Sequence, residues 1–293
     1  MSATAGLPPL SVVEEVFPGR PLHDTAVSHA LLRRVARGEA PETLRLYIPD
    51  EVVLFSLLDA RNPGFDRARA GAEALGCPSL LRLAGGHAAL FHRQCLAFAW
   101  AIPEAQAAEG IHSRFKTLSG IFQRALARLG VDARPGEVAG EYCPGEYSVN
   151  AEGRIKLMGV GQRIIRGAAH VGGVLVVGET ARLREILVPV YAALGLNFDP
   201  RTAGSVEDAV PGLGLNDVRT AVLAEFGALR SLVPGSLEPA TLALASELEN
   251  WHAPGGNPRA ATPGSPRFQG KTLDATPLAP SQKLAPGEPT SSA

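Results

Sequence analysis

The 293 residues carry 28 Lys and Arg against 29 Asp and Glu, a formal net charge of −1, so no global field gathers nucleic acid or an anionic membrane. Apolar residues at 45% and charged residues at 19% are ordinary globular usage, which excludes disordered and collagen-like classes and predicts a buried core. No run approaches the roughly 20 apolar residues of a membrane helix, and residues 1–6 lack a basic segment leading into an apolar one, so neither a membrane span nor a secretory signal is expected.

Residues 1–9 are expected to be loose, and the Pro-, Gly- and Ser-rich stretch 253–293, which holds eight of the 24 prolines, is expected to be a disordered tail. That leaves one domain over 10–252 with a helical C-terminal segment. Leu22, Ala26, Val27, Ala30, Leu31 and Val35 recur at spacings of three and four and predict a helix over 22–37, closed by Gly38. Two short strands follow within 44–56, broken at Pro49-Asp50, then a helix over 66–75 stopped by Gly76 and a strand over 80–83. Ile111, Phe115, Leu118, Phe122 and Leu126 trace one face of a long helix over 104–129, with Arg114, Arg124 and Arg128 read as solvated charges along its flank, a surface on which an acidic carrier protein could dock. Strands over 147–150, 154–165 and 174–177 form a meander, and helices lie near 180–194, 216–231 and 237–251. This irregular mixture predicts the α+β class, a mixed β-sheet flanked by helices.

Three cysteines, Cys77, Cys95 and Cys143, are widely spaced with no CxxC pair, which fits a reducing cytoplasm and gives no disulfide framework and no metal site. Cys77 and Cys95 lie at or within expected strands and read as core. Two glycine-rich segments could carry chemistry, because backbone N–H groups cradle an anion only where no Cβ obstructs the approach. The first is Arg82-Leu83-Ala84-Gly85-Gly86-His87, running on to His92; taken alone, its double glycine is an ordinary turn signal. The second is Gly153-Arg154-Ile155-Lys156-Leu157-Met158-Gly159-Val160-Gly161-Gln162. A strand lysine is usually a solvated charge, but one followed by small residues can reach into a cleft and act on a developing oxyanion or phosphate.

In this order and some 70 residues apart, the two segments resemble the catalytic domain of the lipoate-protein ligase and octanoyltransferase superfamily, relatives of biotin-protein ligases. The resemblance spans about residues 20–250 and implies that superfamily's fold. It matches Arg82, Gly86 and His92 to an acyl- and nucleotide-binding stretch, with Gly85 and His87 in the same loop. Lys156 is matched to the catalytic lysine, Gly159 to the glycine three residues on, and Gln162 to a glutamine that follows. Leu83 stands where the superfamily has a second arginine, Ile155 is inserted before Lys156, and His170 sits one residue early for a His-Gly pair.

The implied activity is attachment of a lipoyl or octanoyl group to a lysine of a carrier domain. A free carboxylate is a poor electrophile, so ATP and Mg would activate it as an acyl-adenylate, with Lys156 neutralising charge. Cys143, just upstream of the lysine strand, opens a second route, because some octanoyltransferases of the superfamily carry a nucleophilic cysteine in that region. There an acyl thioester, with acyl carrier protein as a donor, needs no ATP, and Lys156 would favour the thiolate. The alternative for Cys143 is a small apolar residue in a buried turn. A third reading, motivated by Leu83 and His170, is a non-catalytic binder of a lipoyl-like ligand or its carrier.

Overall fold

The computed structural model describes residues 8–256. They build an eight-stranded mixed sheet and a three-stranded one, each backed by helices. In chain order the elements are β1 (Leu10–Val13), α1 (Pro21–Ala36), β2 (Thr43–Tyr47), β3 (Val52–Phe55), α2 (Phe65–Ala74), β4 (Ser79–Leu81), β5 (Ala89–Phe91), β6 (Cys95–Pro103) and α3 (Ile111–Arg128). They continue with β7 (Ala133–Pro135), β8 (Val149–Ala151), β9 (Ile155–Ile165), β10 (Ala168–Val176), α4 (Thr180–Leu194), α5 (Val206–Ala209), α6 (Leu215–Leu229), β11 (Leu232–Pro234) and α7 (Pro239–His252). The large sheet runs β11-β1-β2-β6-β10-β9-β8-β7 and the small one β4-β3-β5. Strand β1 is parallel to both neighbours, whereas β2, β6, β10, β9, β8 and β7 meander antiparallel, which is the mixed α+β sheet expected.

The two faces of the large sheet bury different partners. Phe98, Trp100, Val171 and Leu175 pack with Leu118, Phe122 and Phe226 of α3 and α6. On the other face, Cys95, Ala97, Val174 and Val176 meet the small sheet and α4, and Ala101 and Ala168 meet Leu32 and Val35 of α1. Helix α7 closes over α1, where Ala245 and Leu248 pack on Val27 and Leu31.

Several expectations are corrected. The long helix begins at Ile111 rather than 104, because Arg114 draws the preceding segment back by donating to Glu104 and to the carbonyl oxygen of Ala107. Arg114 is therefore buried, whereas Arg124 and Arg128 lie exposed, as expected of a solvated flank, while both also bond the buried carboxylate of Glu225. The last strand of the meander, expected over 174–177, spans Ala168–Val176. Strand β6 shows no alternation because both its faces are buried, which removes the period-two signal. The expected loose segments 1–9 and 253–293 lie outside the described residues, except 8–9 and 253–256. No described helix is long and apolar enough to cross a membrane.

Candidate functional site

Three chain segments converge where the loop after β4 meets the start of β9. The loop residues 82–88 lie against β9 at Gly161, where a Cβ would stand 2.7 Å from the Ala84 Cβ. The third segment, the β7–β8 connection, carries Cys143 with its backbone in the left-handed region at φ 43°. Gly86, at φ +90°, has no Cβ to fill the gap: one built there would stand 2.8 Å from both the Arg82 guanidinium and Cys143 Sγ. Glycine is thus required at 86 both for conformation and for close approach.

The sulfur of Cys143 accepts hydrogen bonds from the backbone N–H of His87 at 3.2 Å and from the Arg82 guanidinium at 3.4 Å. Arg82 also donates to the carbonyl oxygens of Gly85 and His87, both at 2.7 Å, so the cation shapes the glycine loop around itself. The Cys143 N–H donates to the Tyr191 hydroxyl of α4 at 2.7 Å, which in turn donates to the Ala88 carbonyl at 2.8 Å.

Lys156 is fully buried rather than solvated, and its Nζ is saturated. It donates to Glu141 Oε1 at 2.9 Å, to the Tyr142 carbonyl at 2.9 Å and to the Cys143 carbonyl at 2.6 Å. Glu141 is equally buried and gathers its own loop, accepting from the N–H groups of Val138 and Gly145 and from the Ser148 hydroxyl. The buried pair therefore staples the cysteine loop to β9, and Lys156 contributes its charge to the thiol from behind the backbone.

Burial pushes the Cys143 thiol up, but the charges of Arg82 and Lys156 together with the His87 amide outweigh it and hold the thiol below its ordinary value. At Cys77 burial and the Glu51 charge outweigh Arg182 and push the thiol up to about 12, and burial raises Cys95 further still. Both are buried core residues, as their strand positions imply.

Of the remaining residues singled out from the sequence, His87 joins the site through both its backbone and its ring, whose Nδ1 lies 2.8 Å from the buried Asp59 carboxylate. Gly159 flanks Lys156, with a notional Cβ 3.3 Å from its Cε. Gln162 is directed to α3, donating to the Ile111 carbonyl at 2.7 Å and accepting from Arg114 at 3.0 Å, so it braces the sheet. His92 is buried beyond β5, bonded to the Gln94 N–H and 3.7 Å from Glu179, and burial lowers its pKa. Neither of these two contacts Cys143 or Lys156. Glu141, Asp59 and Tyr191 were not identified from the sequence; only the Ser56-x-x-Asp59 spacing, a side-chain-closed turn, marks any of them locally.

From Arg82 an apolar cleft runs between the two sheets, walled by Leu54, Leu83, Phe91, Phe98 and Gly172 and reaching His170. Behind it, His29 accepts from Arg33 at 3.1 Å and faces His252 at 3.2 Å, and His252 reaches the Leu81 carbonyl at 2.7 Å. Among the described residues no group of His, Cys, Asp or Glu could hold a metal ion. The arrangement offers an activated thiol, a cation beside it and an apolar slot, a combination suited to covalent transfer of an acyl chain.

Comparison with known proteins places the chain in a family. The chain is 26% identical to an octanoyl-[GcvH]:protein N-octanoyltransferase of Geobacillus kaustophilus over 186 residues, 64% of this chain and 65% of that protein, just under two thirds of its length. It is 28% identical to the protein of that name from Exiguobacterium sibiricum over 256 residues, 82% of this chain and 89% of the other. A lipoyl-[GcvH]:protein N-lipoyltransferase of Listeria monocytogenes is 24% identical over 227 residues, 72% of this chain and 80% of that one. In fold, it matches a lipoate-protein ligase A crystallised with ATP at a TM-score of 0.69 and 21% identity, over 83% of this chain and 95% of that one. The bi-partite lipoate protein ligase of Thermoplasma acidophilum matches at 0.64 and 19% identity, over 82% and 91%. The profile of the lipoyl protein ligase A/B catalytic domain matches residues 20–227, most of the folded chain, and the protein belongs to that family.

Proposed function

We propose that this protein transfers an octanoyl or lipoyl group from one carrier protein to a lysine of another, through an acyl thioester on Cys143. The observation that carries this reading is the environment of the sulfur: two cations and a backbone N–H stabilise its thiolate, and one of those cations, Arg82, also lines an apolar cleft. The relatives named for octanoyl-[GcvH] and lipoyl-[GcvH] motivate a GcvH-type carrier as donor. The acyl chain would lie along the cleft, and the His87 N–H with the Arg82 guanidinium would meet charge developing where the sulfur reacts.

ATP-dependent activation is the second reading, favoured by the fold shared with a ligase crystallised with ATP. Against it, Lys156 is neutralised by Glu141 and turned to backbone carbonyls, Arg82 commits its Nη2 to its own loop and to Cys143 Sγ, and Leu83 is apolar and buried.

Intact mass spectrometry of a lipoyl-carrier domain decides between the two, comparing an octanoylated carrier donor without ATP against lipoate with Mg-ATP. The expected result is modification from the carrier donor, abolished by Cys143→Ala, with an octanoyl adduct on the wild-type chain. Modification only with ATP, persisting in Cys143→Ala, overturns the thioester route. Ligand binding with no modification in either arm would make the protein a binder.

A further inference from the structure

Transfer between two amines at the Cys143 thiolate leaves a proton to manage twice. An amine expelled from a tetrahedral adduct must first be protonated, because the stabilised thiolate otherwise leaves in its place and the adduct reverts. The acceptor amine must then lose a proton as it adds to the thioester, so that the thiolate can leave. Some group beside the sulfur has to give and take that proton.

The candidates there are few. The Arg82 guanidinium has no nitrogen free to accept a proton. Lys156 is locked between Glu141 and two carbonyls, so its proton and that carboxylate are committed to the loop. The Tyr191 and Tyr142 hydroxyls are pushed well above their ordinary value by burial. His87 remains, a side chain whose two ring nitrogens can give and take a proton.

Its surroundings are built. Asp59 is 1% exposed. Its Oδ2 accepts from the Ser56 N–H at 3.0 Å and the Ser56 hydroxyl at 3.2 Å, and that hydroxyl accepts from the N–H groups of Leu58 and Asp59, both at 3.1 Å. The carboxylate is thereby fixed, and its second oxygen meets His87 Nδ1 at 2.8 Å across 28 residues of sequence. Burying a carboxylate to hold one imidazole is costly unless orientation matters. The contact places the proton on Nδ1 and leaves Nε2, without a protein partner among the described residues, as the basic nitrogen. The ring is 27% exposed, open to a substrate, while the N–H of the same residue lies 3.2 Å from the sulfur.

We propose that His87, oriented by Asp59, is the general acid and base of acyl transfer at Cys143. The inference rests on the thioester reading above. In the first half-reaction the thiolate adds to the acyl carbonyl, the bond to the donor amine breaks, and imidazolium Nε2 gives its proton to that amine. In the second the acceptor amine adds to the thioester carbonyl, neutral Nε2 takes its proton, and the carbon–sulfur bond breaks to restore thiolate and imidazolium. Protons and charge balance over the cycle without a further reactant.

The test compares an octanoyl-lysine carrier with p-nitrophenyl octanoate, whose leaving group needs no proton, using the full chain and its His87→Ala and Asp59→Asn variants. His87→Ala is expected to form acyl-Cys143 from the ester within about threefold of wild type, and to lose at least about a hundredfold in transfer between carriers. Added imidazole is expected to restore part of that loss, and Asp59→Asn to move the pH profile of carrier transfer while leaving ester acylation in place. Carrier transfer within threefold of wild type in His87→Ala, or equal loss on ester and carrier without imidazole rescue, overturns the role of His87. Wild-type acyl-Cys143 from the ester but none from the octanoyl-lysine carrier overturns it together with the carrier donor, leaving only the nucleophilic role of Cys143. If the wild-type chain forms no acyl-Cys143 from either donor, both fall.

Discussion

Lys156 Nζ donates to the carbonyl oxygen of Cys143 at 2.6 Å, so the lysine matched to catalysis holds the backbone of the proposed nucleophile. Its counter-charge, Glu141, is buried in the same loop, and removing one partner of such a pair costs about 3–5 kcal/mol because the other is left unpaired. Lys156→Met is expected to lower the melting temperature sharply and to abolish Cys143 alkylation at neutral pH. Adding Glu141→Gln should recover much of the stability but not the reactivity. Calorimetry and iodoacetamide labelling of the single and double variants measure this; recovery of both properties would reduce the pair to a packing element.

The thiol's acidity is set by competition between burial and charge. Alkylation of Cys143 is expected to rise with pH around a midpoint below that of an ordinary thiol, because Arg82 and Lys156 favour the charged form. Replacing Arg82 with Met removes one cation and lets burial win, which moves the midpoint above the ordinary value, whereas Arg82→Lys retains part of the depression. Labelling rates from pH 5 to 10 provide the check, and Cys77 and Cys95 should stay silent throughout.

Gly86→Ala adds one carbon between a cation and the sulfur, at a backbone angle that disfavours any side chain. The loop must open to admit it. The expected result is loss of the Arg82–Cys143 contact, with activity down at least about tenfold and stability down by about 1–2 kcal/mol. An unchanged alkylation profile in this variant would show that the contact does not tune the thiol.

Acid should destabilise the protein through histidines remote from the chemistry. Burial pushes His29 down to about 2 and His170 and His252 to about 4. The unfolded chain takes up protons below about 6.5 that the folded one refuses, so stability is fully present above that pH. It falls by about 1.4 kcal/mol per histidine for each unit between 6.5 and 4. Melting temperatures at pH 7, 6 and 5 test the slope, and His252→Gln should shallow it between pH 6.5 and 4 by the contribution of one histidine.

The sequence makes legible what repeats locally. Periodicity marks α1, α3 and α4, and the glycine-rich stretches mark Arg82, Gly86 and Lys156, which the fold brings around Cys143. Strand β6 is hidden because a strand buried on both faces has no alternation. Asp59 and Glu141 are hidden for another reason: each acts through one bond to a residue 28 or 15 positions away, and no local pattern encodes that pairing. Gln162 shows the converse, a motif position whose partners turn out to be Ile111 and Arg114.

The left-handed backbone at Cys143 has a consequence for how this chain can change. Glycine or asparagine suits that conformation better, and a residue with a heavier Cβ substituent is tolerated there at a cost of about 1 kcal/mol. Cysteine is thus kept at 143 against the preference of its own main chain. A drift toward thermal robustness, as in Cys143→Gly, would therefore run toward an inert protein, and a library selected for heat resistance alone should discard the nucleophile early.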